Sequence, residues 1–375
     1  MSTPTLEQQA DTAAGQRHFS VARDLLSAAV QAEPGQFDLW LKLAAMHRAT
    51  GNAPAALSSI DRALALRPLD FTALLMRATH LHGSGDEDRA GEGYGRALAQ
   101  APTLVPPLLE PTLQVARQRY RAWQDKQRTL LRSVVTQPVS PSIGVMIDSA
   151  LRLVPPEREG PAHYCYPGLP ALPFYDHALF PWIKQLEAAT DEIAAEFAVA
   201  VAAQSAQLTP YIHYPDAVPL HQWETLNNNR DWTAIHLVDR GRDIPSNTQH
   251  CPRTMALLRE IPQPHIRGAG PNAMFSLLAP HTHIPPHTGV TNTRLVCHLP
   301  LIVPDGCWFR VGSEKREWRR GEAWVFDDTI DHEAMNPTDR LRVLLIVDVW
   351  HPDLRQDEQA NVASVIGAGG QVNAL

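Results

Sequence analysis

Leu, Ala and Met recur at three- and four-residue intervals through roughly residues 12–102, the spacing that lays one apolar stripe along a helix. The stripe is interrupted at regular points. Pro34, Pro68 and Pro102 stand 34 residues apart, and the same step relates Ala22, Ala56 and Ala90, Trp40 and Leu74, Ala44 and Ala78, and Gly51 and Gly85. The stretch Arg62-Ala63-Leu64-Ala65 returns letter for letter as Arg96-Ala97-Leu98-Ala99. So many positions on one step tell against a plain bundle, and predict stacked helix-turn-helix units, leaning on a further helix near Thr112 that carries Ala116, Tyr120 and Trp123.

Beyond about Val134 the period is lost. TQPVSPS and LVPPEREGP break it, one more helix is expected in PWIKQLEAATDEIAAEFAVAVA, and short apolar strands follow, separated by Pro, Gly and Asp. Alternation in residues 292–303 puts Arg294, Val296 and His298 on one face, and LRVLLIVDVW puts Arg342, Leu344, Ile346 and Asp348 on one face of another strand. Ser276 lies on a third, within 273–279. Many short strands without intervening helices predict an antiparallel barrel or jelly roll enclosing a pocket. The helical part resembles the tetratricopeptide repeat, of which about two and a half copies are legible. The expected organisation is therefore an α + β two-domain chain: a disordered N-terminus (1–11), tetratricopeptide-like helical repeats (12–135), a linker (136–158), a double-stranded β-helix of cupin-like type with flanking helices (159–358), and a C-terminal tail (359–375).

Composition narrows the function classes. A net charge of -7 and a pI near 6.2 offer no basic stripe to follow a phosphate backbone, so nucleic acid is excluded as a partner. No run of about 18 apolar residues is present, and the opening residues show no basic region followed by an apolar one. Cys165, Cys251, Cys297 and Cys307 are widely spaced, with no C-x-x-C, which indicates neither a disulfide framework nor a zinc knuckle. A cytoplasmic setting is expected, with no membrane span.

The stretch HIPPHTGVTNTRLVCHLP carries His283, His287 and His298 beside Arg294. Imidazole is the commonest metal ligand, yet such sites usually add a carboxylate or cysteine at a fixed offset, and the position two after His287 is Gly289. His287 and His332 flank different strands, where they either converge on one metal or serve as surface donors. Arg342 begins an otherwise apolar strand and must meet an anion: either Asp327 or Asp328, or a ligand carboxylate received bidentately. His298 is open to the same two readings, a satisfied core residue or a ligand contact.

Four ordered stretches change the balance: HIPPHTGVTNTRLVCHLPL (283–301), GCWFRVG (306–312), FDDTIDHEAMN (326–336) and RVLLIVDVWHP (342–352). With NNNRDWTAIHL, CPRTMALL and FSLLAPHTHIPPH upstream, they make roughly residues 160–355 resemble the aspartyl/asparaginyl β-hydroxylase family of iron(II)- and 2-oxoglutarate-dependent oxygenases. The resemblance implies that His287 and His332 hold iron(II), that Ser276 and Arg342 hold the distal carboxylate of 2-oxoglutarate, and that His298 contacts its carboxylate end beside the iron. Arg294 falls on a family arginine counted with the co-substrate site, whereas Val296 stands where some relatives carry a second arginine. His283 matches a family histidine read as structural, and His281 lies outside the pattern.

Glycine in place of the expected acid is itself a feature of the family resembled, so Gly289 does not mark a dead site. The implied activity is hydroxylation of a carbon, the β-carbon of Asp or Asn in a peptide, protein or amino-acid-derived substrate, with molecular oxygen as second co-substrate. The helical repeats are expected to recruit a peptide or protein partner. The competing readings are a non-catalytic tetratricopeptide adaptor whose barrel senses 2-oxoglutarate, and an oxygenase acting on a lipid or a free amino acid.

Overall fold

The computed structural model describes residues 4–157, 163–203, 208–214 and 224–369. It divides into two compact units, one running through Gln127 and the other beginning at Arg128.

The first unit is three helical hairpins in succession: α1 (Leu6–Gly15) with α2 (Phe19–Ala32), α3 (Phe37–Ala49) with α4 (Ala53–Leu66), and α5 (Phe71–Gly83) with α6 (Glu87–Ala99). These are tetratricopeptide-like repeats, and the periodic small residues are where the helices meet: Ala22, Ala56 and Ala90 are buried, as are Ala44 and Ala78. The step also sets the turns. Gly51 and Gly85 take left-handed φ values of 74° and 83°, and Asn52 and Asp86 then cap α4 and α6 by accepting from the backbone N–H of Ala55 and Arg89. In the first hairpin Arg17 takes the left-handed position, with φ of 63°, which is why only two and a half repeats were legible.

Four of the expected segments change. The N-terminus is helical from Leu6 rather than disordered to residue 11, because Thr5 and Gln8 form a capping box and Lys42 of α3 reaches Glu7 and Asp11 at 2.9 and 2.7 Å. The helical domain does not end at 135: α7 (Glu110–Ser133) contains the division between the units. Its first turns close the repeats as expected. Leu113 and Ala116 are buried, and Trp123 and Tyr120 lie so close to α6 that a Cβ at Gly91 or Gly95 would come within 2.5 Å of them. The stretch 136–158, read as a linker, contains α8 (Pro141–Ala150), started by the Ser140 cap. Its Ile143, Met146 and Ile147 are fully buried, and it packs on α13 (Gln356–Ala368), which replaces the expected tail from 359.

The second unit holds two antiparallel sheets. The larger contains β1 (Thr209–Pro210), β2 (Trp232–Asp239), β4 (Ala273–Leu278), β11 (Arg342–Trp350), β6 (Arg294–Ile302) and β9 (Trp324–Phe326) in that order, with β3 (Arg242–Asp243) on β2. The smaller runs β5 (Thr282–His287), β10 (His332–Asn336), β7 (Trp308–Val311) and β8 (Glu314–Glu317). Their inner faces pack together: Met274, Leu278, Val296, Leu344 and Ile346 from the larger sheet meet Ile284, Phe309, Val311 and Ala334 from the smaller.

The outer face of the larger sheet is covered too. Phe275, Leu277, Leu295, Leu299, Val343 and Leu345 pack against residues of α9 (Ile183–Ala188), α10 (Thr190–Ala202) and α12 (Pro252–Glu260), with the short α11 (Pro245–Thr248) beside β2. Both sides of β11 are therefore apolar, which explains a run such as RVLLIV where a solvated strand would alternate. A polar residue on the inner face of this sheet is thus conspicuous, and the candidate site is made of such residues.

Candidate active site

His287 is the last residue of β5 and His332 the first of β10, and the two are register partners. Strand pairing alone brings their rings to a centroid separation of 4.1 Å. The Nδ1 of His287 meets the Pro285 carbonyl at 2.8 Å, and the Nδ1 of His332 meets the Ile330 carbonyl at 2.9 Å. A carbonyl only accepts, so each Nδ1 carries the proton and Nε2 is left as the lone-pair nitrogen. Burial lowers the pKa of both rings, that of His332 well below the ordinary value, with the neighbouring imidazole adding to the effect. Two buried, neutral imidazoles with their outer nitrogens pinned by backbone make a ligand pair of the kind metals select. Among the described residues no group of three or more His, Cys, Asp or Glu side chains suited to a metal is present.

Ser276 and Arg342 project inward from the neighbouring strands β4 and β11. Arg342 is 1 % exposed. One guanidinium nitrogen lies 3.3 Å from both the carbonyl and the hydroxyl of Ser276, Nε has no partner, and the group lies over the Trp318 ring at 5.0 Å. Among the described residues no carboxylate pairs with it. Burial accordingly drives its pKa down to about 9. Ser276 Oγ also accepts from the Trp232 indole at 3.2 Å, so its own proton is available to a further acceptor. His298, buried on β6, has an unpartnered Nδ1, and burial with Arg342 nearby holds its pKa far down.

Arg294 behaves differently from the expectation that groups it with Arg342. Its guanidinium lies 3.0 Å from Asp328 and 3.4 Å from Asp348, an ion triad that uses the anion first considered for Arg342. Asp327, the other acid considered, accepts from the backbone N–H and hydroxyl of Thr329. Among the described residues Arg294 therefore has its counter-ions, and Arg342 has none. His283 forms an outward-facing pair with Glu333, and His281 pairs with Asp339 on the surface, so neither joins the site.

The triad also accounts for Gly289. Its N–H donates to the Asp328 carbonyl at 2.6 Å, and a Cβ built at Gly289 would lie only 2.4 Å from the Asp328 carboxyl group. The space where a third ligand's side chain would begin is already filled by an acid, fixed by Arg294. Burial, opposed by Arg294, pushes the pKa of that acid up to about 6. Gly289→Ala must displace Asp328 from the triad, a misfit of about 1–3 kcal/mol, or about 2–12 °C in a domain of this size. Thermal denaturation checks this against Gly35→Ala, whose Cβ meets nothing within 4 Å; equal melting temperatures would show that position 289 tolerates a side chain.

Sequence reasoning assigned no role to Trp232, Tyr211 or Asp348. Tyr211 stacks on Trp232 with centroids 4.0 Å apart, and Trp232 lies 6.0 Å from the His287 ring, so the pair forms one wall of the site. Burial raises the pKa of the Tyr211 hydroxyl, which feels Asp348, Arg294, Asp328 and Arg342. Trp232 lies within NNNRDWTAIHL, and Asp348 shares the face already read for Arg342; both signals were present without a partner to interpret them.

Residues 187–352 match the family model described as aspartyl/asparaginyl beta-hydroxylase. The aspartyl/asparaginyl beta-hydroxylase of Mus musculus is 35 % identical over 143 residues, 38 % of this chain and 19 % of that protein. The aspartate beta-hydroxylase domain-containing protein 2 of Xenopus tropicalis is 32 % identical over 218 residues, covering 57 % of this chain and 56 % of that one. The ornithine lipid ester-linked acyl 2-hydroxylase of Rhizobium tropici is 35 % identical over 183 residues, 48 % of this chain and 61 % of that protein. The chain thus spans less than two thirds of the length of each of these relatives.

Proposed function

We propose that this chain, whose residues 187–352 match the aspartyl/asparaginyl beta-hydroxylase family model, is an iron(II)- and 2-oxoglutarate-dependent dioxygenase that hydroxylates a carbon of a peptide or protein. The observation that carries the co-substrate is Arg342: a fully buried guanidinium with a serine and an aromatic ring around it and no acid among the described residues. Such a cation fits a ligand that brings its own carboxylate. His287 and His332 fit the metal, because their Nδ1–H bonds to Pro285 and Ile330 fix the tautomer in which Nε2 carries the lone pair, and strand pairing sets the two ring centroids 4.1 Å apart.

Iron(II) bound with 2-oxoglutarate and oxygen supplies the oxidation, in which the keto acid is converted to succinate and carbon dioxide and a hydroxyl reaches the substrate. The protein's part is placement. His287 and His332 hold the metal at the meeting of β5 and β10, Arg342 and Ser276 receive the distal carboxylate, and His298 lies beside them on β6. Tyr211, Trp232, Phe309 and Phe326 wall the site with aromatic surface that excludes water. The tetratricopeptide-like repeats recruit the peptide or protein substrate, raising its effective concentration at the barrel.

Incubating the protein anaerobically with iron(II) and 2-oxoglutarate, admitting oxygen and measuring succinate with and without a peptide extract tests this reading. Peptide-dependent succinate is expected. The relative whose name specifies a lipid acyl chain favours a second reading, so a lipid extract forms a separate arm. Binding of 2-oxoglutarate with no succinate in any arm would favour an adaptor whose barrel senses the keto acid.

A further inference from the structure

The inner face around the histidine pair offers a substrate little charge to meet. Met274, Val296, Leu344 and Ile346 are buried there, and among the described residues Arg342 is the only fully buried Lys or Arg. Arg294 is mostly buried and is held by two carboxylates, Asp328 and Asp348. Asp348 cannot swing away, because its second oxygen accepts from the backbone N–H and the side-chain amide of Asn272 at 2.9 and 2.8 Å. Asp327, buried beside Asp328, accepts from the backbone N–H and hydroxyl of Thr329. Between Arg294 and His298 on the same face of β6, where a second cation would have to project to receive an acid, Val296 presents an isopropyl group.

With a divalent metal balanced by a doubly charged keto acid, Asp328 and Asp348 offset the two arginines, and among the described residues no positive charge is left over. A carboxylate on the substrate would then enter a desolvated site where, among the described residues, no cation remains to receive it, which is strongly disfavoured. We infer that the carbon oxidised belongs to an uncharged group, an amide-bearing or aliphatic side chain, and that the Arg294–Asp328–Asp348 triad with Val296 turns away aspartate. This rests on the dioxygenase reading above and narrows its substrate class. Specificity here comes from charge already used up rather than from a shape that blocks entry.

The test uses the full chain loaded with manganese(II) and 2-oxoglutarate without oxygen, loading being measured first by calorimetry. Three peptide pools with randomised flanks and a central Asp, Asn or Leu are equilibrated with the loaded protein, and the retained peptides are quantified by mass spectrometry. The Asp pool is expected to be retained at least about tenfold less than the better of the other two, since a buried unpaired charge is disfavoured by well over the 1.4 kcal/mol that corresponds to a factor of ten. Asp348→Asn, which leaves Arg294 with charge to spare, and Val296→Arg, which adds a cation, should each restore retention of the Asp pool, two independent routes should one variant misfold. Equal or preferential retention of the Asp pool by the unaltered protein overturns the inference while leaving the dioxygenase reading intact. Failure to take up manganese(II) and 2-oxoglutarate overturns both.

Discussion

Replacing His332 with alanine is expected to abolish iron-dependent succinate formation and to weaken metal binding by more than about a hundredfold, because losing even a hydrogen-bond partner of a metal ligand costs about 10- to 100-fold in affinity. Only His287 would remain as a protein ligand. The fold should survive, since His332 opens β10 and, among the described residues, its side chain makes a single hydrogen bond, to the Ile330 carbonyl. Circular dichroism and a calorimetric metal titration of the same sample separate the two effects. His332→Gln, which keeps much of the volume but moves the donor atom, should lose metal binding to a similar degree. Undiminished turnover in either variant would remove His332 from the metal site. Loss of the metal with the fold retained would separate its role from that of the core residues Phe309 and Phe326 beside it.

How far the site can be read from the sequence depends on how far apart its parts lie along the chain. The repeats were legible because their signal is local: prolines and alanines on a fixed step, each reporting a helix contact within the same hairpin or the next. Helices α1, α8 and α13 were hidden by the opposite circumstance. Thr5 and Ser140 start α1 and α8 from within polar or proline-rich stretches, and in α13 only Val362, Val365 and Ile366 of a small-residue segment mark the buried side.

The faces of β6 and β11 followed from alternation, as their partition between the two apolar clusters bears out. Which acid serves which arginine did not follow. Asp328 was as good a partner for Arg342 as for Arg294 until the register was known. In the fold, Arg342 opens β11 opposite Leu278, whereas Asp348 lies near the other end of the strand, where Trp350 faces Arg294. Six residues at about 3.3 Å each put roughly 20 Å of strand between Arg342 and Asp348. The charges are thus sorted by strand length, one cation to the acidic end and one with no acid among the described residues, and single-residue patterns carry no such information. The convergence of His287 and His332 stayed one of two open readings on residue pattern alone, since it is fixed by the β5–β10 pairing of segments that are distant in sequence.

That sorting gives Arg342→Ala an outcome that discriminates function from structure. If Arg342 receives the distal carboxylate of 2-oxoglutarate, its loss removes a buried charge-assisted contact of about 2–5 kcal/mol, which raises the 2-oxoglutarate requirement about 30-fold to several thousandfold. A structural arginine would show itself otherwise, by a fall in the melting temperature of the protein without ligand. Here that fall is not expected. Burial holds the folded-state pKa at about 9, below the ordinary arginine value, so at neutral pH, beneath both values, the charged group opposes folding, and the opposition fades only as pH rises through about 9. Removing an uncompensated cation should leave the unliganded fold as stable as before or more so, apart from the cost of the cavity. Protection by 2-oxoglutarate should disappear, because a ligand stabilises only in proportion to its affinity for the folded state. Ser276→Ala, which removes one neutral hydrogen bond of about 0.5–1.5 kcal/mol, should reproduce the direction with about a tenfold effect or less. Melting curves with and without 2-oxoglutarate, alongside the concentration dependence of turnover, carry the whole comparison: a destabilised Arg342→Ala protein with an unchanged 2-oxoglutarate requirement would place the cation in the architecture and take it out of the site.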